Sequence, residues 1–193
     1  AVLKVLSDAL IAADEGHVTL LGLLDLSAAF DIVDHDILLR RLRNVFGIED
    51  VVLSWIASFL SDRTQQVVHG GLRSSVGKLE SGVPQGSVLG PLLFSLYTVE
   101  LFNVIENCGM KAHCYADDTQ TYISTPASDA MSAKHLFINC VSCVERWMDS
   151  NMLKLNADKT QLIWLGTRQQ LQKINIDQFL LGSSTVPTVM LAL

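Results

Sequence analysis

The sequence predicts an α+β fold, in which helices pack on one face of a mainly antiparallel sheet. Short apolar segments with strand character alternate along the chain with segments of helical period. Two of the strand-like segments have the pattern of hairpins, whose strands pair antiparallel. Hydrophobic residues make up 49% of the 193 residues and charged residues 18%, as is typical of an ordered globular domain.

The first 60 residues contain a predicted helix, strand, helix and helix, over residues 1–14, 18–26, 34–46 and 50–60. The strand is a nearly continuous apolar run behind Gly16, which favours a strand covered on both faces. Asp34 or Asp36 caps the second helix, and Gly47 ends it. The third helix has an apolar stripe formed by Val52, Trp55, Ile56 and Phe59.

The remaining pattern predicts, in order, a hairpin, a loop, a helix, a hairpin, a helix and a strand, over residues 65–80, 81–87, 88–106, 111–123, 131–150 and 160–166. Pro91 is tolerated because it lies in the first turn of its helix. Beyond residue 168 the pattern has weak strand character and predicts no clear element.

Charge and cysteine content narrow the possible functions. The net charge of −6 argues against nucleic-acid binding, although carboxylates that hold metal ions also count as negative. No uninterrupted apolar run reaches the roughly 18 residues of a membrane helix, so no membrane partner is expected. The four cysteines lack the spacing of a zinc site, which favours a reduced, intracellular setting. Both ends of the sequence suggest a piece of a longer polypeptide.

Three segments carry residues suited to chemistry. Asp25 lies near the end of the buried strand, where an unpaired carboxylate needs a cation or a hydrogen-bond network; the alternative is a strand-end aspartate that caps the next turn. Asp117 and Asp118 lie at the turn of the second hairpin, where adjacent like charges cost stability that a bound divalent cation would offset. The alternative is an ordinary exposed acidic turn. The loop SGVPQGS presents Gln85 just before a helix start, a position that suits a phosphate-bearing ligand. Taken alone this is weak evidence, because loops with glycine and proline are common.

Taken together, LLDLSAAFD, GVPQGSVLGP and YADD resemble the palm motifs A, B and C of reverse transcriptases, and NMLKLNADKTQLI resembles motif D. The likeness is nearest to non-LTR (LINE-type) retrotransposons, in particular the chicken-repeat and jockey-like elements. The motifs occupy residues 20–31, 81–91, 115–118 and about 147–163 within a palm domain expected over residues 1–193. The resemblance implies a polymerase palm-type sheet in a fragment that lacks full fingers and thumb.

The resemblance also implies roles for individual residues. Asp25, Asp117 and Asp118, with the Leu26 carbonyl, would bind two Mg²⁺ ions, or Mn²⁺, for two-metal phosphoryl transfer. Lys159 would protonate the departing pyrophosphate; the alternative is a solvated lysine.

Residues of the substrate pocket follow from the same resemblance. Phe30 would exclude a ribose 2′-hydroxyl, although a core phenylalanine is the alternative. Gln85 and Gly86 would line the nucleotide pocket, and Tyr115 would pack beside the primer end. Three other aspartates are assigned to helix capping or to the turn and not to metal: Asp31, Asp34 and Asp36.

The function implied is the RNA-directed DNA polymerase core of a retrotransposon, which adds deoxynucleotides to a primer 3′-end. The expected partners are an RNA template, a DNA primer, deoxynucleoside triphosphates and further domains of the parent polypeptide, namely fingers, thumb and endonuclease. We expect an intracellular location, in the nucleus at the site of integration. Because an isolated palm does not hold a primer–template by itself, the activity is expected of the parent polypeptide.

Four alternatives stay open. An RNA-dependent RNA polymerase shares the palm but usually has a polar residue where Phe30 stands. A group II intron or retron reverse transcriptase fits the AFDIVDHD wording less well. A nuclease with two metals has no use for the GVPQGS loop. A degenerate or domesticated remnant, acting as a nucleic-acid-binding or structural module, fits the truncated ends but not the intact carboxylates.

Overall fold

The computed structural model describes residues 2–115 and 118–193, apart from the side chains of Val2, Tyr115 and Ala157. The helices are α1 (Val2–Asp14), α2 (His35–Phe46), α3 (Asp50–Leu60), α4 (Leu89–Thr98), α5 (Glu100–Asn107), α6 (Ala130–Ser150) and α7 (Arg168–Leu171). The strands are β1 (His17–Leu24), β2 (Thr64–Gln65), β3 (Val68–His69), β4 (Leu72–Arg73), β5 (Gly77–Lys78), β6 (Lys111–Tyr115), β7 (Asp118–Pro126), β8 (Gln161–Gly166), β9 (Gln178–Leu181) and β10 (Ser184–Ala192). These elements form two compact units, Ala1–Ser27 with Val99–Leu193, and Ala28–Thr98.

The first unit is built on a six-stranded sheet with the strand order β6-β7-β1-β8-β10-β9. Neighbouring strands are antiparallel except β8 and β10, which are parallel. β1 is an inner strand, and its Leu21 is paired with Tyr122 on one side and with Ile163 on the other. The predicted α+β fold with a mainly antiparallel sheet is therefore confirmed.

Helices cover both faces of this sheet, whereas the sequence predicts them on one face. On one face, Val5 and Ala9 of α1 pack in a cluster with Leu21 of β1. On the other face, the Phe137 ring of α6 lies so close to Gly22 that an added Cβ would overlap it. Leu21 and Gly22 are adjacent in the strand and so point to opposite faces. A helix pattern predicts an apolar stripe but not which face of the sheet that stripe will cover.

In the second unit, α2 has the predicted ends. The Asp34 carboxylate accepts a hydrogen bond from the Ile37 N–H at 2.8 Å, and Gly47 follows the last helical residue. The stripe predicted for α3 is wrong at two of its four positions, since Val52 and Trp55 are 56% and 57% exposed. Ile56 is buried, together with Leu53 and Leu60. The helix is apolar on most sides, so its sequence contains two stripes of helical period.

The rest of the second unit is a broken hairpin and a helix. The predicted hairpin is present as two short antiparallel pairs, β2 with β5 and β3 with β4. The single helix predicted over 88–106 is instead two helices, α4 and α5, interrupted at Val99. The stretch Leu89–Asn107 has the length and mean hydropathy, 1.2, of a membrane span, a test that buried core helices also pass.

The tail beyond residue 168, for which no clear element was predicted, extends the sheet. It contains α7, β9 and β10, and β10 pairs with β8 from Thr188 to Ala192. Val186 and Phe179 are buried where β9 and β10 pair. The alternation of β10 was hard to recognise in the sequence because most of its residues are apolar whether they are buried or exposed.

A charged network joins α1 to the β6–β7 hairpin. The Asp8 carboxylate accepts hydrogen bonds from Lys4 Nζ at 2.7 Å and from the Tyr122 hydroxyl at 2.8 Å, with Lys111 Nζ at 3.5 Å. The Lys4 hydrogen bond, followed by that of Tyr122, lowers the pKa of Asp8 to about 2. Burial and the Asp8 charge raise the pKa of Tyr122 to about 12.

Asp8→Asn is expected to lower the unfolding free energy of this chain by about 1 kcal/mol at pH 7. Because the pKa of Asp8 is lower in the folded state, its stabilising effect is present above about pH 4 and lost as the pH falls towards 2. Urea unfolding at pH 7 and at pH 2 would measure both values. Asp14→Asn, which changes an exposed carboxylate on the same helix, is the control. An equal effect of Asp8→Asn at both pH values would contradict this prediction.

Candidate active site

A cleft of about 460 Å³ opens in the first unit where β1 ends and β7 and β8 begin. Its polar lining consists of Asp25, Asp118, Thr119, Gln120, Asp158, Lys159 and Gln161. The strand pairing explains this grouping, since Leu23 of β1 lies opposite both Gln120 and Gln161. Asp25 follows Leu23 by two residues and Asp118 precedes Gln120 by two, so both carboxylates belong to the same face of the sheet.

Asp25 lacks a hydrogen bond where one would be expected. Its Oδ2 atom is buried and has no hydrogen-bond partner within the described residues. The Lys159 ammonium lies 3.5 Å from this oxygen, which makes an ion pair of a 28% exposed and a 70% exposed side chain. Such an exposed pair contributes little stability. The Asp25 side chain thus lines a polar cleft, and its buried oxygen already lies beside one cationic group.

The chain after Asp25 is held to the segment that precedes β8. The Asn156 N–H donates to the Asp25 carbonyl at 2.8 Å, and the Ser27 N–H donates to the Lys154 carbonyl at 2.9 Å. Leu26 is bridged with Leu155 between these two hydrogen bonds. In this antiparallel geometry the Leu26 carbonyl points to the other edge of the strand, away from residue 155. The backbone oxygen predicted as a metal ligand is thus not used in the bridge.

Two predicted site residues cannot be placed. Asp117 and the side chain of Tyr115 lie outside the described residues, so their roles stay predictions. Asp118 is the first residue of β7, is exposed, and is paired with Tyr115 at the end of the β6–β7 ladder. Both strands of the predicted hairpin, β6 and β7, are therefore present and paired.

In the second unit, backbone hydrogen bonds fix the 81–87 loop against the turn that follows motif A. The Val83 N–H donates to the Phe30 carbonyl and the Gly82 N–H to the Val33 carbonyl, each at 2.8 Å. His35 Nε2 donates to the Gly82 carbonyl at 2.8 Å. The half-buried Phe30 ring packs on Phe94 of α4, with ring centroids 4.8 Å apart.

Gln85 and Gly86 are exposed at the tip of this loop. Gln85 Nε2 donates to Asp31 Oδ1 at 2.9 Å, and the Ser81 hydroxyl donates to the Asp31 carbonyl at 3.0 Å. Of the three aspartates assigned to capping or to the turn, Asp34 caps α2 and Asp36 lies in its first turn. Asp31 lies in the turn at the end of motif A and also contacts the loop.

Sequence reasoning missed four residues of these regions: Gln120, Asp158, Gln161 and His35. Period-two alternation counted from Asp118 would have identified Gln120, whose buried Oε1 accepts no hydrogen bond from the residues that the structure describes. Asp158 directly precedes the predicted Lys159, in a short 3₁₀ turn over Ala157–Lys159. No signal in the sequence pairs His35 with a loop that lies 47 residues away.

A divalent metal site needs several ligand side chains close together. Among residues 2–115 and 118–193, no group of three or more His, Cys, Asp or Glu side chains is arranged to hold a metal ion. Two carboxylates and a backbone carbonyl are nonetheless of the type that Mg²⁺ prefers. Within the described residues the buried Oδ2 of Asp25 has no hydrogen bond and contacts only the exposed ammonium of Lys159, which is the feature that fits a cation, and Asp118 lines the same cleft.

Comparison with known proteins identifies sequence relatives. A family model described as "Reverse transcriptase (RNA-dependent DNA polymerase)" matches residues 3–177. The RNA-directed DNA polymerase from mobile element jockey of Drosophila melanogaster is 28% identical over 170 residues, which cover 86% of this chain and 18% of that protein. The jockey polymerase of Drosophila funebris is 32% identical over 70% of this chain and 15% of its own length. The chain thus spans less than a fifth of these relatives.

Solved structures share the fold at low sequence identity. Apo telomerase from Candida tropicalis superimposes with a TM-score of 0.61 over 97% of this chain and 38% of its own, at 14% identity. Telomerase from Candida albicans gives a TM-score of 0.60 over 84% of this chain and 31% of its own, at 16% identity.

Proposed function

This chain belongs to the reverse transcriptase (RNA-dependent DNA polymerase) family, and on that premise we propose that it is the palm core of a non-LTR retrotransposon RNA-directed DNA polymerase. The single observation that carries the proposal is the environment of the Asp25 side chain. This side chain lines a polar cleft at the end of an inner strand, and its buried Oδ2 has no hydrogen bond to any residue that the structure describes. A buried carboxylate of this kind requires a cation or a network.

The metal-binding part of the proposal concerns four residues. Asp25, Asp117 and Asp118, with the Leu26 carbonyl, would hold two Mg²⁺ ions. When bound, the ions would activate the primer 3′-hydroxyl and neutralise charge on the triphosphate. Asp25 is fixed for this task because its own carbonyl accepts the Asn156 N–H on the side of the strand away from β7.

Lys159 is proposed to move a proton to the leaving pyrophosphate. Its ammonium already lies beside the cleft, 3.5 Å from Asp25, while 70% of its side chain is exposed and free to reorient. A lysine that pairs with a catalytic carboxylate before the substrate arrives would be released as that carboxylate takes up a cation. This exchange of partners needs only a movement of the Lys159 side chain and no rearrangement of the backbone.

Nucleotide selection is proposed for Phe30, Gln85 and Gly86. The Phe30 carbonyl is hydrogen-bonded to Val83, and its ring is packed on Phe94, so the ring has a fixed position. A fixed aromatic ring excludes an added 2′-hydroxyl better than a mobile one, since yielding would cost packing. We therefore propose deoxynucleoside triphosphates as the substrates. As a member of this polymerase family, the chain is further proposed to have an RNA template and a DNA primer as partners, and a nuclear location.

The proposal is tested with the full-length parent protein, because the chain spans only 18% of its jockey relative. Extension of a DNA primer on an RNA template is expected only when Mg²⁺ or Mn²⁺ is present, with deoxynucleotides strongly preferred to ribonucleotides. Primer extension with each nucleotide class, with and without chelator, measures both. A folded parent protein that binds RNA but extends no primer would instead support a domesticated remnant.

A further inference from the structure

We propose that Asp31 is a positioning residue, which fixes the side-chain amide of Gln85 in the orientation that meets the nucleotide. This inference rests on the proposed polymerase function. It concerns a contact between a residue that directly follows Phe30 and the loop that presents Gln85, 54 residues later.

The hydrogen bond defines which end of the Gln85 amide faces outward. Gln85 Nε2 donates to Asp31 Oδ1 at 2.9 Å. An ionised carboxylate can only accept hydrogen bonds, so the NH₂ end of the amide is held towards Asp31. The Oε1 end is thereby directed away and offers an acceptor. Gln85 then offers this oxygen to a hydrogen-bond donor of the nucleotide.

The backbone on both sides of this contact is fixed independently of the Asp31 side chain. The Ser81 hydroxyl donates to the Asp31 carbonyl at 3.0 Å, and the Asp31 N–H donates to the Ala28 carbonyl at 2.9 Å. Gly82 lies so close to Asp31 that an added Cβ would be 2.7 Å from the Asp31 carbonyl oxygen. Removing only the carboxylate should therefore leave the loop in place.

The exposure of the pair indicates orientation and not stability as its purpose. Both Asp31 and Gln85 are exposed, so water competes for their hydrogen bond and its net contribution to folding is small. An exposed glutamine without a fixed partner presents either end of its amide. A bound nucleotide would then have to select one orientation, and its apparent affinity would fall by the fraction that is incorrectly oriented.

The test measures kcat and the KM for a deoxynucleoside triphosphate in primer extension by the full-length parent protein. Asp31→Ala is expected to raise KM about five- to tenfold, which corresponds to about one in five to ten of the released Gln85 side chains having the competent conformation, while kcat stays within about twofold. Asp31→Asn retains an acceptor oxygen and should keep KM within about threefold of wild type. Glu80→Ala, which removes another exposed carboxylate of the same unit, is the matched control and should change neither constant.

An exchange of the two groups gives a stricter test. Gln85→Glu places two carboxylates against each other and should raise KM at least about tenfold. Adding Asp31→Asn supplies an NH₂ donor to the new carboxylate and should recover at least about threefold of that loss. Recovery by a second substitution is not expected if Asp31 has only a general structural role.

The outcomes separate this inference from the proposed function. An active wild-type enzyme whose KM is unchanged by Asp31→Ala would overturn the positioning role alone. So would an exchange variant with no recovery of KM. A wild-type parent protein that cannot extend a primer at all would overturn both proposals.

Discussion

Asp25→Asn in the full-length parent protein is expected to lower primer extension about 1,000-fold or more. The substitution removes the charge from a side chain that lines the cleft and whose buried oxygen has no hydrogen bond within the described part of the chain. Electrostatic support by bound metal is worth several kcal/mol, and each 1.4 kcal/mol corresponds to about tenfold in rate. The side chain keeps its shape, and the ion pair that it loses with Lys159 is exposed. The unfolding free energy should therefore change by less than about 1 kcal/mol.

Binding of Mn²⁺ provides a measurement that does not depend on activity. Titration of the parent protein, followed by electron paramagnetic resonance, should show weaker Mn²⁺ binding in Asp25→Asn than in wild type. Asp149→Asn, which changes an exposed carboxylate on α6 of the same unit, should affect neither extension nor Mn²⁺ binding. Wild-type rates in Asp25→Asn would refute the assignment of this cleft as the polymerase site.

Gly82→Ala is expected to destabilise the chain by about 3 kcal/mol, and to lower primer extension about 100-fold through displacement of the 81–87 loop. Gly82 has a φ of +87°, and an added Cβ would lie 2.7 Å from the Asp31 carbonyl oxygen and 3.0 Å from its carbonyl carbon. The colliding atoms are backbone, which cannot rotate away as a side chain can. Urea unfolding followed by circular dichroism measures the stability, and primer extension by the parent protein measures the rate.

Gly86→Ala separates the two causes of this destabilisation. Gly86 lies in the same loop and also has a positive φ, +79°, but no atom of the described residues lies within 4 Å of an added Cβ. It should lose only about 1 kcal/mol of stability from backbone strain. If both substitutions destabilised the chain equally, contact with Asp31 would not be the reason for glycine at position 82.

Elements with a strong local signal could be predicted from the sequence. β1 is marked by an apolar run too short for a helix, and α2 by a capping aspartate and a final glycine. The break at Val99 lacked any such signal, since neither glycine nor proline stands there. The buried face of α3 was predicted only in part, because the helix has two apolar faces. The elements that the helix packs against decide which of the two is buried.

The site was predictable to the extent that it consists of residues close in sequence to a motif. Asp25, Asp118 and Lys159 come together at one cleft as expected, although their catalytic roles stay predictions. Contacts between distant segments were not predictable. The link from Asp31 to Gln85 depends on two backbones that approach each other over 50 residues apart, and no periodicity within either segment records that approach.

The inner position of β1 has a consequence for synthesis of the protein. The strand partners of Leu21 are synthesised much later: Tyr122 follows it by about 100 residues and Ile163 by about 140. At roughly 5–20 residues per second, the ribosome needs at least about 5 s to supply the first partner and longer for the second. During that time the strand that leads to Asp25 is an unpaired, apolar segment of the nascent chain. Translation products that end before β8 would therefore leave β1 with one open edge, and such products are expected to aggregate or to need a chaperone.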